Sequence, residues 1–508
     1  MLKKLTFSVI IFIVLLGLLE IAARLTESRF TASGTVDAEH PGWQTAFFSS
    51  LFDWHEPDPD LLWRFKANLQ NPLITTNSEH LLGNEIPGQK EKRTFRILLL
   101  GDSSPVGLGL DSWRQTFGEV LRSYLNLRFI DHKIELINAA VSGYTSEQVV
   151  RFMEQRGWKY QPDLVLVYCG NNDASISGSQ SDRELFQAQR LTTLRRSLNR
   201  LALYRVMRAF LAGGSRNTEG ERQGLKVRVE PDRFGQNLNR LVRQAQNRNC
   251  PVIVLKPPVP YLWPAGLQFK IFTHVTGREG QLILPDEMIK VLGRPLKYCL
   301  DENRFRLLYG RGDKFTRAVF ASAYSDSLPA EKAIEYYTDL IEEDSDNPAL
   351  YNNLGVSYWA NENYRRADSV LRQARNFYCS EFDCRGKDIG QVAAGSPFLY
   401  NIGVNLLTEN IGRKQVHDSI HNPAFVYLDS ALQADFYSLR IKKSYWRKID
   451  ELAAEKDVYI IDLPRVFEEY GGEGLFIDHC HPTVEGHRLI AETIYNLIFD
   501  KRLVKKDS

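Results

Sequence analysis

The sequence predicts an α/β fold: a mainly parallel five-stranded sheet covered by helices on both faces, α/β/α in three layers, with an all-helical insertion late in the chain. Three observations predict it. Short runs rich in Val, Ile and Leu, bounded by turn residues, stand at Arg96–Leu100, Ile134–Ala139, Leu164–Tyr168, Val252–Leu255 and Val458–Ile461. Polar-periodic stretches such as Trp113–Leu127 and Ser146–Arg156 separate them, and continuous apolar strands with helices between imply parallel pairing buried on both sides. The fourth and fifth runs are about 200 residues apart, far more than one crossover needs, so something is inserted between them.

In chain order, the first element is apolar. Met1–Lys4 carries two lysines, and the 19 residues from Leu5 to Ala23 are almost wholly apolar, broken by Glu20. As a helix they span about 28 Å, roughly a hydrocarbon core. With Lys3 and Lys4 upstream, residues 1–29 are expected to form a single-pass anchor that leaves the rest extracytoplasmic, periplasmic or at the cell surface. A cleaved secretory signal fits less well, because Ile21 occupies a place where a small residue is wanted before Ala23. Residues 30–94, rich in Pro, Asn, Trp and Phe, read as a covering segment.

The totals exclude several classes. Across 508 residues, 43% apolar and 25% charged with a net charge of +2, nothing suggests a nucleic-acid partner. The six cysteines, at 169, 250, 299, 379, 384 and 480, form no CxxC pair, so a structural zinc is not expected. Cys379 and Cys384 are close enough to bridge in an oxidising compartment. Residues 182–248 hold fifteen Lys/Arg against six Asp/Glu, and Leu191, Leu194, Leu198 and Leu201 form a stripe among them. Such a stretch ordinarily docks its leucines and solvates its arginines; an interfacial helix or a flap beside a site is the alternative.

The insertion carries a repeat. Of Tyr351, Leu354, Gly355, Tyr358, Ala367, Leu371 and Ala374, all but the first are matched 34 residues earlier, by Phe320, Ala321, Tyr324, Ala333, Tyr337 and Leu340. This period and residue set resembles the tetratricopeptide family, in which small residues let paired helices approach and aromatics fill the groove between repeats. An imperfect third copy starts near Leu399-Tyr400-Asn401-Ile402-Gly403. The repeats, at about 315–410, are too few for a solenoid and must lean on the main domain; they offer a surface for a protein partner.

The first apolar run stops at Gly101-Asp102-Ser103-Ser104, which admits three readings. A nucleotide loop fails, because no Gly-Lys-Ser/Thr follows, and Gly107 and Gly109 lack a third glycine at the dinucleotide spacing. A plain turn explains little. A nucleophile demands a base, a carboxylate to orient it and donors for an oxyanion, all at the carboxyl ends of the strands. Later strand ends supply candidates: Gly143 in NAAVSGY, Asn172 in YCGNNDA, and Asp478 three residues before His481 in IDHCHP, with Pro482 opening an apparent helix.

Gly-Asp-Ser at 101–103, the glycine at 143, Gly-x-Asn-Asp at 170–173 and Asp-x-x-His-Pro at 478–482 resemble, in order, the four blocks of the GDSL/SGNH hydrolase superfamily. The resemblance implies a flavodoxin-like hydrolase domain split into 95–264 and 425–508 around a helical region at 265–424. It also implies roles. Ser103 is the nucleophile, His481 the general base and then acid, and Asp478 its orienting carboxylate. The Ser103 and Gly143 backbone N–H groups and the Asn172 side chain form the oxyanion hole. Asp102 and Asp173 brace loops. Ser104 is one step off the block; His479 and His487 read as satisfied surface histidines and Cys480 as a packed thiol, so no metal or cofactor is expected. The expected activity is cleavage of carbohydrate O-acetyl or lipid acyl esters. Transfer of an acetyl group to a polysaccharide hydroxyl stays open, since water access is not legible in the sequence, and so does an inactive domain serving a repeat-based scaffold.

Overall fold

The computed structural model describes residues 54–70, 73–87, 90–175, 180–187, 226–261, 329–381, 384, 395–410, 423–435 and 440–504. The expected anchor at Leu5–Ala23, the leucine stripe at 191–201, and Phe320, Ala321 and Tyr324 lie outside these residues. Among the described residues no helix is long and apolar enough to cross a membrane. The chain divides into two compact units, one of residues 1–63 with 177–226, the other of 64–176 with 227–508. In the first, Asp58 Oδ1 accepts the Asp60 and Leu61 amides, and Lys226 pairs with Glu184 at 2.7 Å. The second holds the sheet and everything that follows.

All five expected strands form: β1 (Thr94–Gly101), β2 (Lys133–Asn138), β3 (Leu164–Tyr168), β4 (Val252–Lys256) and β5 (Val458–Asp462). They pair in the order β2-β1-β3-β4-β5, every pair parallel. The order reverses direction at β1, the point of an open α/β sheet at which the loops leaving the carboxyl ends of neighbouring strands turn opposite ways. Strand alternation sends Phe95, Ile97, Leu99, Leu164, Leu166, Ile253, Leu255 and Ile461 into one core with Phe117, Leu121, Leu125, Ile490, Ile494 and Ile498. These come from helices α2 (Phe117–Arg128) and α12 (Val484–Asp500), which pack together. The opposite-facing Leu98, Leu100, Val165, Val167, Val252 and Val254 are equally buried. Helices α3 (Ser146–Gln155), α4 (Pro231–Gln246) and α10 (Lys443–Asp450) pack in sequence with one another, apart from the α2 and α12 pair. Each fully buried Leu, Ile or Val contributes about 1.5–3 kcal/mol.

Three expected details shift. Trp113–Leu127 is not one helix: Trp113–Gln115 is a 3₁₀ turn, and Thr116, extended at φ −64° and ψ 149°, breaks it before α2 begins. Pro482 does not open α12; it bridges to Phe476, and Thr483 caps the helix by accepting the Gly486 N–H. β1 starts two residues early, so Arg96 is buried within it, donating from Nε to Glu135 at 2.9 Å and from Nη1 to the Tyr160 carbonyl at 2.7 Å. Of the expected covering segment, the Leu82 N–H reaches the Asn138 carbonyl at the end of β2 at 3.1 Å.

The insertion is all-helical where it is described: α5 (Ala330–Glu343), α6 (Pro348–Ala360), α7 (Tyr364–Glu381), α8 (Ser396–Asn410) and α9 (Pro423–Ala434). Each packs on the next. Two glycines stand where helices approach closely. A Cβ on Gly355 would stand 2.7 Å from the Leu371 side chain, and one on Gly403 would stand 2.7 Å from Leu428 Cγ. Cys379 and Cys384 are disulfide-bonded, with Cα atoms 5.3 Å apart. The segment that follows α9 is tied to the α/β part. Arg440 donates to the Pro260 carbonyl and pairs with Asp435, both side chains 3% exposed, and the Ile441 N–H donates to Asn171 Oδ1 at 3.0 Å.

Candidate active site

Four loops at the carboxyl ends of the strands build the site. β1 ends at Gly101, and Asp102 caps a single helical turn, α1 (Ser103–Val106), by accepting the Ser104 N–H at 3.0 Å. Gly107, at φ +80°, closes that turn, and Asn138 Nδ2 holds its Pro105 carbonyl at 2.9 Å. Ser103 is thereby the first residue of a turn whose ends are both fixed. Burial pushes the Asp102 carboxyl up to about 7, only partly offset by the Ser104 N–H.

After β2, Val141 N–H bonds the Gly101 carbonyl, and Tyr144 N–H turns back to Val141. This tight reversal puts Gly143 at φ +82°, a region that costs residues with a Cβ about 1 kcal/mol or more. After β3, Asn172 Nδ2 donates to the Tyr144 carbonyl at 3.1 Å, and Asp173 Oδ1 accepts the Ser146 N–H at 3.0 Å. The second and third loops are therefore laced together, and Asp173 braces, as expected. Asp102 also braces, through its cap.

The last loop is a pinched reversal, with Ile477 N–H on the His481 carbonyl at 2.8 Å and Thr483 N–H on the Leu475 carbonyl at 2.8 Å. Inside it, Asp478 Oδ1 accepts the Cys480 N–H at 3.0 Å and the His481 N–H at 2.9 Å. Both Asp478 oxygens lie 2.8 Å from His481 Nδ1. On the other side of the ring, His481 Nε2 is 2.7 Å from Ser103 Oγ. Residues 378 apart in sequence thus meet in a line from hydroxyl to imidazole to carboxylate. An ionised Asp478 only accepts, so Nδ1 carries the proton and Nε2 is left to take one from Ser103.

The charges agree with that polarity. Burial opposes ionisation of Asp478, but His481 and His479 outweigh it and hold the carboxyl far below its usual range. Burial likewise disfavours the imidazolium of His481, yet Asp478 and then Cys480 raise it well above its ordinary value. Ser103 is 9% and His481 5% exposed, so the pair sits at the floor of the rim rather than in open solvent.

The neighbours separate in ways the sequence hides. Ser104 points elsewhere, its Oγ donating to the Cys480 carbonyl at 3.3 Å. His487 is not a surface histidine: it is fully buried, stacks on Phe117 and accepts that residue's N–H on Nδ1 at 3.1 Å. Burial lowers it to about 3, so it is neutral and structural. His479 is only partly exposed and meets the His481 ring edge-on. Cys480 is packed, as expected, with Sγ 3.8 Å from His481 Nδ1. Asp478, His479 and Cys480 bring one donor atom each within 4.8 Å of one another, but the carboxylate is already committed to His481 and two amides. The loop hydrogen bonds to the Asn172 and Asp173 side chains had no signal in the sequence beyond residue type.

Residues 99–275 match the model of the GDSL-like lipase/acylhydrolase family. The match takes in Ser103, Gly143 and Asn172 and stops before Asp478 and His481, which the insertion displaces far along the chain. No curated protein matches the chain. Among solved structures, it is similar to TesA, at 20% identity over 32% of this chain and 62% of that one, TM-score 0.20. It is similar to the psychrotrophic esterase EstA from Pseudoalteromonas sp., at 21% identity over 32% and 61%, TM-score 0.20. A third is a mutant of the acetyl-xylooligosaccharide esterase Axe2 from Geobacillus Stearmophilus, at 14% identity over 35% and 63%, TM-score 0.20. The chain thus spans about three-fifths of the length of these structures.

Proposed function

We propose that the protein is an anchored, extracytoplasmic serine hydrolase that cleaves carboxylic esters, carbohydrate O-acetyl or lipid acyl. The observation that carries the reading is the 2.7 Å contact between Ser103 Oγ and His481 Nε2, continued at 2.8 Å from Nδ1 to Asp478. In this mechanism His481 takes the Ser103 proton as the hydroxyl attacks the ester carbonyl. The imidazolium so formed is stabilised by Asp478 and returns its proton to the leaving alcohol. A water, activated by the same imidazole, then hydrolyses the acyl-enzyme. The developing oxyanion is received by the Ser103 and Gly143 amides and the second Nδ2 hydrogen of Asn172, whose first is spent on Tyr144. Neither amide has a backbone acceptor among the described residues.

The Cys379–Cys384 disulfide favours an oxidising compartment, which agrees with an anchor at Leu5–Ala23 and an extracytoplasmic remainder. The packed helices of the insertion, with close approach at Gly355 and Gly403, favour tetratricopeptide-like pairs that serve as a docking surface for a protein. The test is labelling by a fluorophosphonate probe. Wild-type protein labels and Ser103→Ala does not; folded wild-type protein that stays unlabelled overturns the reading. Acetate release from an aryl acetate, with and without oligosaccharide, then separates hydrolysis from transfer to a sugar hydroxyl.

A further inference from the structure

The basic stretch at 182–248 contains an arginine that is not solvated. Arg228 is 2% exposed, and a buried guanidinium needs a specific partner. Its backbone N–H donates to the Ser175 carbonyl at 2.7 Å, and the Val229 N–H to Asp173 at 3.1 Å, which lays this segment along the loop after β3. Its Nη1 crosses to the loop after β2 and donates to the Gly143 carbonyl at 2.8 Å. Nearby, Arg233 Nε pairs at 2.5 Å with Glu147, whose side chain is fully buried. The next carbonyl, that of Tyr144, is held by Asn172 Nδ2. Two successive carbonyls of the Gly143 loop are therefore pinned from outside, one of them by a charged donor. A peptide is planar, so fixing the Gly143 oxygen fixes the Gly143–Tyr144 plane; the Gly143 N–H stands in the adjoining plane, joined to it only through the φ and ψ of a glycine, otherwise the freest residue of the loop.

We propose that Arg228 is a positioning residue for the oxyanion loop, acting through the Gly143 carbonyl to hold that loop in the orientation the transition state requires. The inference rests on the hydrolase reading above. Arg228 touches no reacting atom. The oxyanion exists only in the transition state and the tetrahedral intermediate, so a loosened loop lowers kcat and leaves KM in place.

The experiment compares Arg228→Met and Arg228→Lys with wild type on an aryl acetate, together with amide hydrogen exchange over residues 141–147. The Met variant is expected to lose about ten- to a hundredfold in kcat with KM within about twofold. Lys keeps one donor but not the fork, and recovers part of the loss. Exchange should rise at 141–147 and not elsewhere, also when each variant is placed in a Ser103→Ala background. Unchanged kcat and exchange overturn the proposal, as does a parallel change in KM with exchange raised across the sheet. If the Met variant does not fold, the Lys variant decides by the same split. If wild type neither hydrolyses esters nor labels at Ser103, the hydrolase reading falls. The exchange measurement then still decides the clamp: a local rise keeps it, and no rise removes it.

Discussion

The α/β part and the helical insertion both bury polar side chains and both need glycine, but for opposite reasons. In the α/β part, buried polar groups tie one loop to the next: Asn172 to Tyr144, Asp173 to Ser146, Asn138 to Pro105, His481 to Ser103. In the insertion they run amide to amide between helices, Asn401 Nδ2 to Asn352 Oδ1 at 2.9 Å and Asn405 Nδ2 to the Tyr364 carbonyl at 3.1 Å. The first kind sets how the strand-end loops stand to one another; the second sets which helix turn faces which. Gly143 is needed for a backbone angle, Gly355 for want of a side chain. A fold can therefore spend the same residue types on precision at one end and on packing at the other, and the two uses should respond separately to mutation.

The strongest break in that comparison is Ser103→Ala. Ester turnover should fall by roughly four to six powers of ten, while the melting of the insertion, followed by limited proteolysis within α5–α9, stays as in wild type. Loss of both together would mean that the two regions are not independent.

Asp478→Asn comes next and has a pH signature. His481 is raised above its ordinary value by Asp478 and Cys480 against burial, with His479 beside it and neutral His487 and buried Asp102 behind. In the proposed mechanism the neutral imidazole is the base, so kcat/KM should climb with pH through a midpoint above about 6.5. Asn removes the main raising charge: the midpoint moves down and the plateau drops by about four powers of ten. Stability follows the same pair. The His481 contribution is complete below about 6.5 and lost as pH rises through its raised folded value; that of Asp478 is present above about 3.9 and lost as pH falls toward its depressed one. A pH–rate profile that keeps its midpoint in the Asn variant would remove Asp478 from the role.

Gly143→Ala is smaller. A Cβ at φ +82° forces the loop to relax, and displacing one oxyanion donor costs about two to three powers of ten in kcat. Here KM for the aryl ester is the informative number: it should hold within about twofold, because the ground-state carbonyl makes little use of the hole.

How much of this was legible depends on which physical signal each part leaves in the sequence. The five strands were readable because buried parallel strands are apolar on both faces, and the meeting of Ser103, Asp478 and His481 because a nucleophile reading of Gly101-Asp102-Ser103 asks for a histidine and a carboxylate at another strand end. Arg96 and Arg228 were not readable. A buried arginine is satisfied by carbonyls and carboxylates from distant segments, Tyr160 and Glu135 for one and Gly143 for the other, and no local pattern announces them. His487 was misread for the same reason, since its partner is the Phe117 backbone, 370 residues away. The start of α12 slipped because Pro482 and Thr483 both suit a helix start, and only the bridge to Phe476 assigns the proline to the loop.

Gly355→Ala is the mildest change and the sharpest test of separation. Its Cβ would meet Leu371 Cδ2 and Cγ at 2.7 Å and the Leu371 backbone nitrogen at 3.2 Å. The side chain can rotate, but the backbone of α7 must also move away from α6. Overpacking of this kind costs about 1–3 kcal/mol. The loss should be confined to the insertion, read as faster proteolysis within α5–α9, with kcat unchanged. Arg440 and Ile441 are the route by which it could spread, because Ile441 N–H is held by Asn171, the neighbour of Asn172, which the proposed mechanism places in the oxyanion hole. If kcat falls along with the stability of the helices, the helices are not a separate packing problem but part of what holds Asn172 in place.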